Sequence, residues 1–274
     1  MHSVSANGAN IPALGFGTFR MPDADVRRIL PQALKTGFRH VDTAQMYNNE
    51  AAVGDVVHAS GIPRADIFLT TKVWVDRVGH DAFITSVDES LARLRTDHVD
   101  LLLLHWPQSR MPLADRIGAM NELRRAGKVK HIGVSNFSTA LMAEAVRLSE
   151  APIATNQVEY HPYLDQTKVI GEAHRTGMSV TAYHLMADGK VPRDPVLREI
   201  GARHGKTAAQ VVLRWAVQQE DVIALSKTAT ESRIAENFDI FDFALGDGEM
   251  AEIHRLARPD GRIVNPAQLA PEWD

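Results

Sequence analysis

Residues suited to acid–base chemistry stand at or just beyond the ends of short apolar runs. Asp42 closes HVD, Lys72 closes IFLTTK and His105 closes VDLLLLH, while Tyr47 follows five residues after Asp42. These types suit the reduction of a carbonyl group. Hydride arriving at a carbonyl carbon leaves negative charge on oxygen, so a proton donor must lie within hydrogen-bond reach as that charge develops. Tyr47 can be that donor. A free phenol titrates at about 10 and a nearby ammonium lowers it by favouring phenolate, a role open to Lys72. Asp42 can keep Lys72 charged and oriented, and a neutral His105 can donate a hydrogen bond to the substrate oxygen without competing for charge. Taken singly, each residue also has a structural reading: Asp42 as a turn or cap, Tyr47 as an amphipathic surface residue, Lys72 as a solvated end, His105 as a hydrogen-bonded core residue.

Bringing the four together requires elements that end on one side of the molecule. Apolar runs at 67–71, 99–104, 129–134, 154–158, 179–182 and 222–225 read as buried parallel strands. Segments at 14–17 and 40–42 bring the count to eight, with helical patterns such as 81–94 and 113–126 between them. Eight strands alternating with helices predict an α/β fold, a closed (β/α)8 TIM barrel, whose usual size of roughly 250 residues suits one domain over 1–274. Catalytic groups in such barrels lie at the carboxyl ends of the strands, which is where these four fall. Thr207 with Gln210 forms a capping box, and Gly37, Gly61 and Gly177 read as helix stops. Pro31 interrupts the helical pattern 26–35 and is expected to kink it or start a turn. Two extra helices are expected at 195–204 and 207–219, and 258–274 has no regular period, which predicts a C-terminal loop.

Composition narrows the partners. Apolar residues make up 45% and charged residues 23%, enough for a substantial core. The formal charge of −4, from 30 basic and 34 acidic residues, comes without a basic block, so neither nucleic acid nor a membrane surface is expected as a partner. Small-molecule ligands are the default. The absence of cysteine excludes disulfides, a thiolate nucleophile and a zinc–thiolate site. No metal site is expected. The N-terminal stretch lacks the apolar segment of a signal peptide, and the longest apolar run is too short to span a bilayer, so a cytoplasmic protein is expected.

Across nearly the whole chain the sequence resembles the aldo-keto reductases. The matching stretches are IPALGFGTF at 11–19, FRHVDTAQMYNNEAAVG at 38–54, TTKVW at 70–74, DLLLLHWP at 100–107 and GVSNF at 133–137. They continue with NQVEYHP at 156–162, TAYHLMADGK at 181–190 and RIAEN at 233–237. Within that family, DTAQMYNNEAAVG, LRTDHVDLLLLHWP, ATNQVEYHPYLD and the closing LAPEWD are similar to bacterial 2,5-diketo-D-gluconate reductases of the B type, which also reduce methylglyoxal.

The resemblance implies a tetrad of Asp42, Tyr47, Lys72 and His105, NADPH as cofactor and a small carbonyl compound as substrate. It implies that the nicotinamide stacks on Tyr183, with its carboxamide held by Ser135, Asn136 and Gln157, and that Gly17, Thr18, Phe19 and Asp42 border the cofactor. It further implies that Lys227, Thr228 and Arg233 hold the adenosine 2′-phosphate, with Glu236 and Asn237 near the adenine. Two cations and a hydroxyl suit a dianionic phosphate. A solvated helix face is the alternative for that segment, and satisfaction of strand-end backbone groups is the alternative for Asn136 and Gln157. The chain departs from the family pattern at Ser226 and Thr228, where proline and serine are common, and at HLMADGK, where many relatives carry a Ser-Pro-Leu segment around the pyrophosphate. No G-x-G-x-x-G sequence is present, which removes the main support for a Rossmann site.

Met46, Trp74, His105 and Trp106, with Phe19 nearby, are expected to line the substrate pocket and to favour compact substrates. Arg262 and Trp273 are expected to close over the site, with Arg262 attracting a carboxylated sugar. A monomer is expected. Two other functional readings stand beside the reductase: a redox-sensing cofactor-binding subunit on the same fold, and a metal-dependent barrel hydrolase using His105 and His161, for which no ligand spacing is apparent.

Overall fold

Strands covered by side chains on one face and by a helix on the other are apolar throughout rather than alternating. That is the character of the eight runs which close the barrel. In the computed structural model, which describes residues 2–274, a hairpin of β1 (Ser3–Ala6) and β2 (Ala9–Pro12) precedes the barrel strands. These are β3 (Leu14–Gly17), β4 (His40–Asp42), β5 (Phe68–Val73), β6 (Val99–Leu104), β7 (Val129–Ser135), β8 (Ile153–Glu159), β9 (Ser179–Tyr183) and β10 (Val222–Ser226). They pair in parallel in the order β10-β3-β4-β5-β6-β7-β8-β9 and close. The fold is therefore the (β/α)8 barrel, with Lys72 one residue short of the end of its strand.

Helices follow the strands: α1 (Asp23–Thr36), α2 (Glu50–Ala59), α3 (His80–Leu94), α4 (Leu113–Arg125), α5 (Thr139–Leu148) and α6 (Thr167–Thr176). The expected additions are α7 (Pro195–His204) and α8 (Ala208–Gln218), both between β9 and β10, and α9 (Ser232–Phe238) and α10 (Asp247–His254) follow the last strand. Thr207 and Gln210 form the expected capping box at the start of α8. Pro31 does not interrupt α1, which runs unbroken through it. The reason is its position: Pro31 and Arg27, whose carbonyl loses its helical donor, both lie on the exposed face, where water can serve that carbonyl.

Two details set up the site. The hairpin, turning at Asn7 (φ 46°) and Gly8 (φ 85°), lies against the amino-terminal end of the barrel, where Asn7 donates to the Ile153 carbonyl at 2.7 Å. On β7 the register with β8 shifts between Ile132 and Val134. A Cβ at Gly133 would sit 2.6 Å from Leu103 and 2.9 Å from the Thr155 carbonyl, so only glycine lets the strands approach there. Such irregularities re-aim side chains at strand ends, and Ser135 and Asn136 follow directly. Among the described residues no helix is long and apolar enough to cross a membrane.

Candidate active site

The structure brings the four chemistry-bearing residues to one rim. Asp42 ends β4, Lys72 stands near the end of β5, His105 follows β6, and Tyr47 ends a single 3-10 turn (Gln45–Tyr47) after β4. Lys72 is fully buried, and its Nζ donates to Asp42 Oδ1 at 2.5 Å, to the Thr43 carbonyl at 3.0 Å and to Tyr47 Oη at 3.3 Å. The His105 ring packs edge-on against Tyr47, with centroids 5.6 Å apart, and against Trp74 at 5.1 Å. Nδ1 of His105 is buried without a protein partner.

Burial decides the electrostatics. It holds Lys72 below its ordinary range, against the pull of Asp42. It drives His105 well below the usual imidazole value, with Lys72 adding to the effect, so the ring is neutral. The expected lowering of Tyr47 by Lys72 is overturned: enclosure and the Asp42 charge push the phenol well above its usual range. Tyr47 therefore keeps its proton at neutral pH.

Other groups fix this arrangement. Gln157 Nε2 donates to Asp42 Oδ2 at 2.8 Å, and its carbonyl accepts from Ser135 Oγ at 2.7 Å and the Asn136 amide at 2.9 Å. Asn136 Nδ2 donates to the His105 carbonyl at 3.0 Å, while its Oδ1 accepts from Tyr183 Oη at 2.6 Å. Ser135, Asn136, Gln157 and Tyr183 thus meet as a group beside the tetrad, and Asn136 and Gln157 also satisfy strand-end carbonyl and carboxylate groups.

Around the rim, Phe19 lies 5.0 Å from the Tyr47 ring and is 40% exposed, and Met46 is 36% exposed. Trp74 is half-buried and Trp106 buried. Two positioning residues had no clear signal in the sequence. Gln45 receives the Trp74 amide on Oε1 at 3.0 Å and donates to Ser86 and Ser90 of α3. Arg116, buried on α4, donates to the carbonyls of Trp106 (3.2 Å) and Pro107 (2.7 Å), and burial lowers it to about 10. Each ties an aromatic-bearing loop to a helix behind it.

The sequence profile of the aldo/keto reductase family matches residues 13–258. This chain belongs to the aldo/keto reductase family. It is accordingly an oxidoreductase acting on carbonyl compounds with a nicotinamide cofactor. The methylglyoxal reductase DkgB of Escherichia coli O157:H7 is 41% identical over 267 residues, covering 96% of this chain and 99% of that protein. The glyoxal reductase of Bacillus subtilis is 35% identical over 264 residues, covering 96% and 95%. Among solved structures, a protein provisionally assigned as a 2,5-diketo-D-gluconic acid reductase B superposes with a TM-score of 0.99 at 74% identity, covering 100% of this chain and 98% of that one. The aldose reductase of Schistosoma japonicum superposes at 0.90 with 32% identity, covering 95% and 94%.

The aldo/keto reductase rim has features that fit a dinucleotide. Tyr183, part-exposed at the end of β9, is tethered at its hydroxyl by Asn136 and so presents a fixed ring face. Lys227, directly after β10, and Arg233, in the first turn of α9, are exposed. Thr228 is buried, its Oγ accepting from the Thr230 amide at 3.0 Å. Glu236 accepts from Thr207 Oγ at 2.7 Å, and Asn237 donates to Ser226 Oγ at 2.9 Å, which gives the serine in place of the family proline a bond of its own. HLMADGK holds one 3-10 turn, Ala187–Gly189, with a second following at Val191–Arg193, and His184, Ala187 and Asp188 stand at φ 63°, 46° and 53°. Arg262 stacks on Trp273 at 3.6 Å, and its Nη1 lies 3.8 Å from buried Glu159, so it belongs to the anchor of the C-terminal segment.

Proposed function

We propose that this chain is an NADPH-dependent reductase of small aldehydes and ketones, with Tyr47 as general acid. The observation that carries the reading is the meeting of Tyr47 Oη, Lys72 Nζ and a neutral His105 at one rim of the barrel. Bound beside them, reduced nicotinamide supplies a hydride. The chain's own groups do the rest. A ring N–H of neutral His105 orients the substrate oxygen, and Tyr47 hands it a proton as negative charge develops. A phenol held above its ordinary range still serves, because an alkoxide is a stronger base than a phenolate. Lys72 balances the phenolate as it forms, and Asp42 keeps Lys72 charged.

Exposed Lys227 and Arg233 support NADPH over NADH, since an arginine fork and an ammonium suit the additional phosphate. Thr228 joins them at that phosphate, Glu236 and Asn237 border the adenine, Gly17, Thr18 and Phe19 the other side of the cofactor, and Ser135, Asn136, Gln157 and Tyr183 the nicotinamide. The rim of Phe19, Met46 and Trp74, with Trp106 beneath, suits compact substrates. The relatives' activities make methylglyoxal and 2,5-diketo-D-gluconate the first candidates.

The test follows NADPH absorbance with methylglyoxal, 2,5-diketo-D-gluconate and an aromatic aldehyde, using wild type, Tyr47→Phe and an NADH control. Wild type is expected to turn over repeatedly and to prefer NADPH. Tyr47→Phe is expected to lose on the order of 10²–10⁴-fold in kcat while still binding NADPH. Binding without turnover in the wild type would overturn the reading in favour of a cofactor-sensing protein.

A further inference from the structure

Asp42 is held from two directions. On its own side of the barrel, Lys72 of neighbouring β5 donates to Oδ1. From the far side, Gln157 of β8 donates to Oδ2 at 2.8 Å. In the strand order β8 stands opposite β4, so this bond crosses the barrel lumen, and both side chains are buried. The backbone of Gln157 is held in turn by the two donors that β7 and its following loop place on its main-chain carbonyl. Side-chain hydrogen bonds therefore run from Gln157 through Asp42 and Lys72 to Tyr47.

We infer that Gln157 is a positioning residue for proton transfer, locking the Asp42 carboxylate from across the barrel so that the Lys72 ammonium stays on Tyr47. The inference rests on the reductase reading of this rim. An ammonium has three N–H donors, and here its acceptors are Asp42 Oδ1, the Thr43 carbonyl and Tyr47 Oη, the last being the longest at 3.3 Å. With Oδ2 engaged by Gln157, Asp42 offers Lys72 a single oxygen, and an N–H remains for Tyr47. Remove the Gln157 donor, and Oδ2 becomes a buried charged acceptor with no partner. The carboxylate side chain turns easily about its last bond, so it offers both oxygens to Lys72 and draws Nζ off its weakest contact, the phenol. A cofactor contact at Gln157 would affect binding, whereas the brace acts on the chemical step.

Gln157→Met keeps the length and removes the donor. In the full-length variant, three quantities are measured: the Lys72 to Tyr47 distance in a ligand-free crystal structure, the Kd for NADPH by fluorescence, and kcat at saturating NADPH. The expected result is a separation beyond about 3.5 Å and, with NADPH saturating so that any loss of the Gln157 cofactor contact shows in Kd alone, a kcat lower by on the order of 10²-fold, as for other small misplacements of a catalytic group. Wild-type kcat with the distance unchanged would overturn the inference, whatever happens to Kd. Should binding and kcat fall together, Gln157→Glu decides. Its introduced carboxyl shares a proton with Asp42 at acid pH and repels it once that proton leaves. Activity retained at acid pH and lost as pH rises supports the brace, and an equal loss at every pH overturns it. If the wild type itself shows no turnover, the reductase reading fails separately, and the crystallographic distance still tests the brace.

Discussion

Lys72 is wholly enclosed, and its ammonium is accommodated there because Asp42, the Thr43 carbonyl and Tyr47 surround it. Breaking a buried ion pair by removing one partner leaves the other charge uncompensated and costs about 3–5 kcal/mol, whereas replacing both partners is often close to neutral. Lys72→Met is therefore expected to destabilise the fold by about 3–5 kcal/mol, and Lys72→Met combined with Asp42→Asn to recover most of it, since the asparagine oxygen still accepts from Gln157. Neither variant is expected to reduce carbonyls at more than about a hundredth of the wild-type rate. Urea unfolding beside the NADPH assay separates the two effects, and a stable single mutant would mean the pair is not charged in the fold. Asp42, Lys72 and His105 were legible from the sequence because each closes an apolar run, and Tyr47 because it follows Asp42 in the next loop. The direction of the Tyr47 shift was not, since it depends on how much water the folded rim excludes. Nor was the bond from Gln157 to Asp42, whose partners lie 115 residues apart with no period linking them.

At the level of elements, the eight barrel runs were legible because strands buried on both faces leave continuous apolar stretches, while the intervening helices show their own period. The hairpin at Ser3–Ala6 and Ala9–Pro12 was missed, although Asn7-Gly8 is the dipeptide most suited to a tight turn with positive φ at both positions. Its strands are only four residues long, too short for alternation to stand out. Pro31 is the reverse case, a strong local signal overridden by tertiary context. Val26, Ile29, Leu30, Ala33 and Leu34 bury one face of α1 on both sides of the proline. That burial holds the helix together without the missing bond. An interior proline costs roughly 3 kcal/mol relative to alanine, offset by about 0.4–1 kcal/mol from a stiffer unfolded chain. Pro31→Ala, which restores an N–H facing the Arg27 carbonyl, is thus expected to raise stability by about 2–2.6 kcal/mol with activity unchanged. A lower urea midpoint would show that the helix bends around the proline in a way alanine cannot follow.

For the molecule as a whole, the barrel has two differently treated ends: the hairpin lies against one, and the segment after α10 docks at the other without regular structure. Its anchor is Glu159, fully buried at the end of β8 and paired in register with Tyr183. Glu159 accepts from His161 at 3.0 Å and from the Ile263 and Val264 amides at 2.8 and 2.9 Å. The last residue, Asp274, accepts from the Thr139 amide at the start of α5, so the segment is fastened at both ends. Burial alone would raise the Glu159 carboxyl, but these donors outweigh it and hold the group below its ordinary value of 4.5. A carboxyl lowered on folding contributes stability above its unfolded value and loses that contribution as pH falls through the folded one. The C-terminal segment is therefore expected to stay docked at neutral pH and to loosen well below pH 4.5. Glu159→Gln should mimic the acid state at neutral pH, because the amide keeps one acceptor oxygen but turns an N–H toward the donors that the carboxylate served. The expected outcome is a loss of about 1–3 kcal/mol, faster proteolytic cleavage between α10 and the C-terminus, and a change in Trp273 fluorescence as its stack with Arg262 opens. Asp274→Ala should free only the tip. Cleavage of Glu159→Gln no faster than wild type would show that the contacts of Arg262, Trp273 and Asp274 hold the segment without Glu159.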